Sequence, residues 1–130
     1  MVRSGDVVAL AAVAILMTVS GVVHLHLWDI AYRHVSTLGP LFLVQTVAAL
    51  VGAVALVVTR LVVVMVGSAL LMVGTMVGFV LADTVGLFGF TLPDVTKWAY
   101  LALGSELLAS VGLIVTLGRR FFAVKTNTVG

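Results

Sequence analysis

The sequence has no cysteine and few charged side chains among its 130 residues. Without cysteine, disulfides, thiolate metal ligands and cysteine nucleophiles are all excluded. Charged residues make up 9% of the chain, whereas a soluble domain carries about 25% because its surface faces water. Together with the mean hydropathy of +1.31, this scarcity predicts a surface that faces lipid.

Further absences disfavour two large classes of function. The net charge of +2 forms no basic stripe, so we expect no nucleic-acid partner even though the pI is near 9.5. No nucleophile–base–acid set, phosphate-binding loop or soluble domain can be recognised in the sequence. We therefore expect a non-enzymatic protein with no cofactor and no bound metal.

Four apolar runs are long enough to cross a bilayer as helices. The hydrocarbon core is roughly 30 Å thick and needs about 20 apolar residues. Buried strands are excluded because the runs are too long and no turn residues interrupt them. The sequence predicts an all-α membrane protein, a single domain over residues 1–130 that folds as an antiparallel bundle of four transmembrane helices. The helices are expected at about 7–28, 38–58, 61–82 and 98–117.

The first run also resembles a signal peptide, since Arg3 precedes the apolar stretch 7–19. However, Val19-Ser20-Gly21 is a poor cleavage site, and apolar residues continue through Leu27. We expect this segment to stay in the protein as its first membrane helix.

Lysine and arginine predict the orientation of the bundle, because they are enriched in cytoplasmic loops. With four spans, the N-terminus, the connection between helices two and three and the C-terminus share one side. Five basic residues lie on that side and two on the other. Both termini are therefore predicted to be cytoplasmic, in a multi-pass protein of the cell membrane. The five are Arg3, Arg60, Arg119, Arg120 and Lys125, and the two are Arg33 and Lys97.

Each predicted helix places one polar side chain in the outer half of the bundle. Glu106 lies inside helix four, roughly 12 Å deep at 1.5 Å per residue. On the same scale His24 lies about 6 Å deep, and Gln45 and Thr75 each lie about 10 Å deep. Ionisable groups inside a bilayer are costly and mark candidate functional sites. With Asp83 at the end of helix three, these residues form the predicted ligand-binding set.

Two interpretations of this polar layer stay open. In one, Gln45, Thr75 and His24 satisfy Glu106 as a hydrogen-bonded core. In the other, the layer is a pocket open to the outer face that binds a proton, a cation or the polar head group of a quinone.

All three histidines lie in the segment 24–34. His24 and His26 point about 200° apart on a helix, so they cannot chelate one ion together. A haem between two helices needs a ligand from each, so only a symmetric dimer could supply two histidines. The alternative is a cap that ends helix one at the outer interface, formed by His26, Asp29, Arg33 and His34.

Small residues recur every four positions on helix three and its loop. Gly74-x-x-x-Gly78 matches the pattern that allows helices to approach closely in membranes. The stripe predicts either packing within one bundle or dimerisation. Its members are Gly74, Gly78, Ala82 and Gly86.

Several of these motifs carry a resemblance to a known group. They are Gly21-Val-Val-His24-Leu-His-Leu-Trp28, Tyr32-Arg33, the stretch 38–43, Gly78-Phe79, the stretch 86–89, Trp98 and Glu106. Over nearly the whole chain this pattern resembles small four-helix integral membrane proteins from actinobacteria. That group has no assigned activity, so the resemblance implies a fold and a location only.

Two hypotheses for function follow. The first is an accessory or assembly subunit, or a bundle that self-associates as a homo-oligomer in the lipid bilayer. The second is binding or transport of a small ligand, proton or cation through the pocket around Glu106 and His24. Four helices are few for an autonomous transporter, so transport would require at least a homodimer.

Overall fold

In a computed structural model, the described part of the protein, residues 4–89, 91 and 96–128, contains four long helices. Arg3, which contributes to the predicted orientation, lies outside the described residues. The four are long and apolar enough to cross a membrane, so the prediction of a helical protein with four such segments is confirmed. They are α1 (Ser4–Leu27), α2 (Leu38–Thr59), α3 (Val62–Thr84) and α4 (Lys97–Thr128).

The helices depart from their predicted ranges mainly at the two ends of the chain. α1 begins at Ser4, with Asp6 in its first turn, where a carboxylate complements the positive end of the helix dipole. α4 continues to Thr128, well beyond the predicted end near residue 117. The predicted range followed the apolar run, which ends before the helix does. The helix itself continues through Arg119 and Arg120, where no proline stops it.

A π-helical segment, Trp28–Tyr32, connects α1 to the turn before α2. The Arg33 amide donates to the Trp28 carbonyl at 2.8 Å, which spaces the bond over five residues instead of four. Gly39 in the first turn of α2 packs directly on this segment, since a Cβ there would lie 2.8 Å from the Tyr32 carbonyl oxygen. The close approach holds the start of α2 against the end of α1.

The helices form a ring in which α1 has the largest share of contacts. α1 packs extensively on α2 and α4, and α3 packs on α4. Of these neighbouring pairs, α2 and α3 pack least tightly on each other, although only Arg60 and Leu61 separate them along the chain.

Close packing fills the part of the bundle around the middle of α1. A Cβ on Gly112 would lie 2.8 Å from Val13 Cγ2, so Val13 occupies the groove that this glycine leaves in α4. Gly52 on α2 receives Met17 in the same way, with 2.9 Å between its notional Cβ and the Met17 Cε. Where apolar helices lie in lipid, such fits contribute more to helix association than burial does, because lipid is as apolar as the side chains. We call this region the packed half; its core includes Leu10, Val13, Met17, Leu56, Met65, Met72 and Leu113.

The stripe on α3 does not provide these fits. A Cβ on Gly74 would meet nothing within 4 Å, and one on Gly78 would lie 3.9 Å from the Leu87 Cδ2. Of the stripe, Gly74 and Gly78 therefore make no tight packing contact within the bundle, whereas Ala82 is buried. The glycines that make close approaches are Gly21, Gly39, Gly52 and Gly112.

Polar contacts join three segments at one end of the bundle. Asp6 at the start of α1 is buried, and its Oδ1 lies 4.0 Å from the Arg119 Nη1. Arg120 Nη1 donates to the Arg60 carbonyl at 2.7 Å, which ties α4 to the connection between α2 and α3. We call this the basic end.

Candidate ligand-binding site

Glu106 lies in a buried polar cluster with Ser20 and His24. The Ser20 hydroxyl donates to Glu106 Oε1 at 2.8 Å, between residues 86 positions apart in the chain. His24 Nε2 lies 3.8 Å from the same oxygen. Glu106 is 1% exposed, and all three residues are buried. The structure thus brings together the acid and the imidazole that the sequence singled out.

The orientation of His24 follows from its other ring nitrogen. His24 Nδ1 lies 2.8 Å from the Ser20 carbonyl oxygen, one turn earlier on α1. Since a carbonyl only accepts hydrogen bonds, Nδ1 carries a proton. In the neutral imidazole, Nε2 then presents its lone pair toward Glu106. The Phe42 ring, with its centroid 5.2 Å from that of His24, packs against the imidazole from α2.

A cavity of about 430 Å³ adjoins this cluster. Its size falls within the range of roughly 300–1,000 Å³ that is typical of small-molecule sites. Its walls are mainly aliphatic and aromatic, with polar side chains at a few points. The predicted site residues that line it are His24, Gln45, Thr75 and Glu106.

Gln45 differs from the other polar residues of the cavity wall. Its side chain is 8% exposed, and its Nε2 has no hydrogen-bond partner among the described residues. A buried amide donor without a partner costs about 1–3 kcal/mol. Gln45 therefore carries unused hydrogen-bonding capacity at the cavity wall.

Thr75 is already engaged within its own helix. Its hydroxyl donates to the Leu71 carbonyl at 2.7 Å, and the side chain is half-buried. The hydroxyl oxygen keeps lone pairs that can accept a hydrogen bond. Thr75 can thus act as an acceptor at the cavity wall.

Asp83 is not part of this arrangement. It is exposed near the end of α3 and is not among the residues that line the cavity. The structure therefore does not join it to His24, Gln45, Thr75 and Glu106.

The four predicted cap residues also lie apart from the cavity. Asp29 and Arg33 form an exposed ion pair of 3.4 Å on the π-helical segment and its end. The His26 ring packs edge-on against Trp98, with 4.7 Å between centroids, and His34 is exposed. His24 and His26 thus have different environments, as their spacing on a helix predicts.

The exposed part of the cavity lining lies on α2 and α3, which indicates an opening between these two helices. Among the described residues that line the cavity, four are exposed on the outside of the bundle, and all four lie on α2 or α3. Leu87, in the loop after α3, also lines the cavity. Its Cδ2 would lie 3.9 Å from a Cβ on Gly78. We call the exposed residues the mouth; they are Leu41, Val44, Leu70 and Gly74.

Metal ligation requires several donor side chains in one place. Within residues 4–89, 91 and 96–128, no three histidine, aspartate or glutamate side chains are grouped as metal ligands. The cluster at Glu106 supplies only two such groups.

No family model, curated protein or solved structure matches this chain. The resemblance to small actinobacterial membrane proteins therefore stays a prediction that rests on the motifs quoted above.

Two parts of the polar arrangement were not predicted. Ser20 lies four residues before His24, so both occupy one face of α1, and that spacing is the signal that would have found it. Asp6 and Arg119 lie 113 positions apart in the chain, and no local spacing predicts their contact.

Proposed function

We propose that this protein crosses the cell membrane four times and binds a small ligand in the cavity beside Glu106, without catalysing a reaction. One observation carries the proposal. A buried carboxyl–imidazole pair and an unpartnered buried amide, from three different helices, line one cavity of about 430 Å³. Convergent polar groups in an otherwise apolar cavity are typical of ligand sites.

A purely structural core explains these features less well. Side chains in protein interiors pack closely, and voids much larger than a water molecule are few. A polar core is also expected to satisfy all of its members, because an unpaired group in a low dielectric is costly. The Gln45 amide does not meet this condition.

The positive charges at the basic end support a location of both termini in the cytoplasm. Arg60, Arg119 and Arg120 are gathered there by the contacts of α4 with Asp6 and with the α2–α3 connection. In that orientation the helices alternate in direction across the membrane. The cavity then lies in the outer half of the bilayer.

Filling the cavity tests the proposal. Gly74→Leu places a side chain at the mouth, where a Cβ meets nothing within 4 Å, so the helix itself tolerates it. Gly67→Leu is the matched control. It lies two turns away on the same face of α3, also has open space, and does not line the cavity.

The measurement is the amount of small molecules released on denaturation of protein purified gently from its own membranes, determined by mass spectrometry. We expect one compound in near-stoichiometric amount from the wild type and from Gly67→Leu, and a large loss from Gly74→Leu and Glu106→Gln. Equal release from all four proteins would contradict the proposal. In sealed vesicles, a proton or cation flux that Glu106→Gln abolishes would extend the function to transport.

Self-association is a second candidate, favoured by open glycines on the membrane face of α3. α3 is the least buried of the four helices, and Gly67 and Gly74 are exposed with no atom close to a notional Cβ. Such positions allow a second helix to approach closely. The mass of the complex in mild detergent tests this prediction, and a strictly monomeric species would contradict it.

A further inference from the structure

The mouth of the cavity faces the region that acyl chains occupy. If the chain crosses the membrane as proposed above, the exposed surfaces of α2 and α3 contact lipid. Leu41 and Val44 lie about 5–10 Å from the start of α2, within the thickness of the hydrocarbon layer. A ligand that enters through this opening must therefore be soluble in the membrane.

Among the described residues of the cavity wall, the buried side-chain atom that lacks a hydrogen-bond partner is a donor. Gln45 Nε2 has no partner among the described residues, whereas Glu106 Oε1 already accepts from Ser20. An amide N–H is satisfied by an acceptor such as a carbonyl oxygen. Such a hydrogen bond contributes more to binding in this desolvated cavity than it would at a surface exposed to water.

The charges around the cavity restrict the class of ligand further. An anionic head group would lie beside the Glu106 carboxyl in an apolar cavity, and a hydrated cation would have to pass the aliphatic mouth. In either case an ion would have to leave water for a low-dielectric medium, and that transfer costs much free energy. A neutral head group avoids both costs.

We infer that the ligand is a neutral lipid with a carbonyl-bearing head, which enters from the bilayer between α2 and α3 and accepts a hydrogen bond from Gln45. The inference rests on the proposed function, because it names the class of ligand for the same cavity. A prenylated quinone has this chemistry, and so does any long-chain molecule with a neutral carbonyl head.

Two probes with the same tail isolate the contribution of the carbonyl. Labelled decyl-para-benzoquinone carries two carbonyl oxygens, and labelled decylbenzene carries none. Binding is measured with the full chain in lipid nanodiscs, and nanodiscs without protein correct for partition of each probe into the bilayer. We expect the wild type to prefer the quinone by about tenfold in Kd, equivalent to one well-placed hydrogen bond in a dry site.

Three variants assign this preference to the cavity. Gln45→Leu should reduce the preference to about twofold or less, because the donor is removed. Thr46→Val is its matched control and should keep the preference. Thr46 is the next residue on α2, its hydroxyl is bonded to the Gly21 and Phe42 carbonyls, and it does not line the cavity. Gly74→Leu should lower binding of both probes, and Gly67→Leu should leave it unchanged.

Three results would overturn the inference: no quinone binding by the wild type, equal binding of both probes, or a preference that persists in Gln45→Leu. None of them decides the proposed function. A different molecule that is released from the wild type and lost from Gly74→Leu would still establish the cavity as a ligand site.

Discussion

The packed half and the half that holds the cavity use glycine for opposite purposes. In the packed half, Gly112 and Gly52 receive Val13 and Met17 at distances that leave no room for a Cβ. In the cavity half, Gly74 and Gly78 have open space or a distant neighbour, and both line the cavity. Glycines therefore allow close packing of the helices at one level of the bundle and leave open space at another.

This difference shows how a small bundle of four apolar helices combines close packing with an open site. Association of helices in lipid depends on van der Waals fit and hydrogen bonds, because no hydrophobic effect separates the helices from their solvent. The packed half provides the fit, and the Ser20 hydroxyl on α1 provides a hydrogen bond to Glu106 on α4. Substitutions in the two halves should therefore have effects of different size, and in one case of opposite sign.

The largest effect is expected from a bulky residue in the packed half. Gly112→Leu would force α1 and α4 apart at Val13, and we expect a loss of about 3 kcal/mol in the free energy of unfolding. Gly104→Leu, on the same helix, has nothing within 4 Å of its notional Cβ and should change stability little. Reversible unfolding in mixed micelles measures both, and equal effects of the two variants would remove the distinction between the halves.

Removal of the carboxyl from the polar cluster should come next. Glu106→Ala leaves the Ser20 hydroxyl without its acceptor and enlarges the cavity, so we expect a loss of about 2 kcal/mol. Glu106→Gln keeps an acceptor and should lose less than about half of that. Ser110→Ala is a control one turn away, because its hydroxyl donates to the Glu106 backbone carbonyl and not to the carboxyl. If Ser110→Ala destabilises as much as Glu106→Ala, the cluster has no special role.

A change of sign is predicted at Gln45. In protein without ligand, Gln45→Leu removes an unpartnered buried amide and should increase the free energy of unfolding by about 1 kcal/mol. The neighbouring Thr46→Val removes a hydroxyl that has two acceptors and should decrease it by about 0.5–1 kcal/mol. The same unfolding measurement applies, and a loss of stability in Gln45→Leu would indicate that the amide has a structural partner.

The smallest effect is expected outside both halves. Asp29→Asn removes the ion pair with Arg33. The Asp29 side chain is 64% exposed and that of Arg33 is 51% exposed. Exposed pairs contribute less than about 1 kcal/mol, so we expect a change within about 0.5 kcal/mol. Comparison at low and high salt measures it, and an effect as large as that of Glu106→Ala would mean that the π-helical segment is more important to the fold than its exposure indicates.

The sequence was informative about the number of helices long and apolar enough to cross a membrane, and about which polar groups lie in the same half of the bundle. Hydropathy and helical rise are enough to place His24, Gln45, Thr75 and Glu106 in the same half of the bundle, because both depend only on the position of a residue along its own helix. Which of them touch each other depends on how each helix is rotated. Rotation is fixed by contacts such as Gly21 against Ala49 and Val13 against Gly112, and no local pattern encodes those pairs.

The same limit explains the stripe on α3 and the Gln45 amide. Spacing alone shows that Gly74 and Gly78 share a face, but not whether another helix occupies that face. A hydrogen bond that is missing can be recognised only when all neighbours are known. The orphaned amide and the open mouth therefore became visible only in the folded chain.

The uninterrupted course of α4 has a mechanical consequence. Its 32 residues extend about 48 Å, so Glu106 and Arg120 sit on one stiff rod about 21 Å apart. Ser20 restrains that rod at one level, and the Arg60 carbonyl restrains it at the other. One residue inserted after Leu117 would turn Arg120 by about 100° relative to Glu106, so the rod could no longer satisfy both restraints at once. Torsion applied at the end of α4 near Arg120 would thus be transmitted to the Glu106 carboxyl.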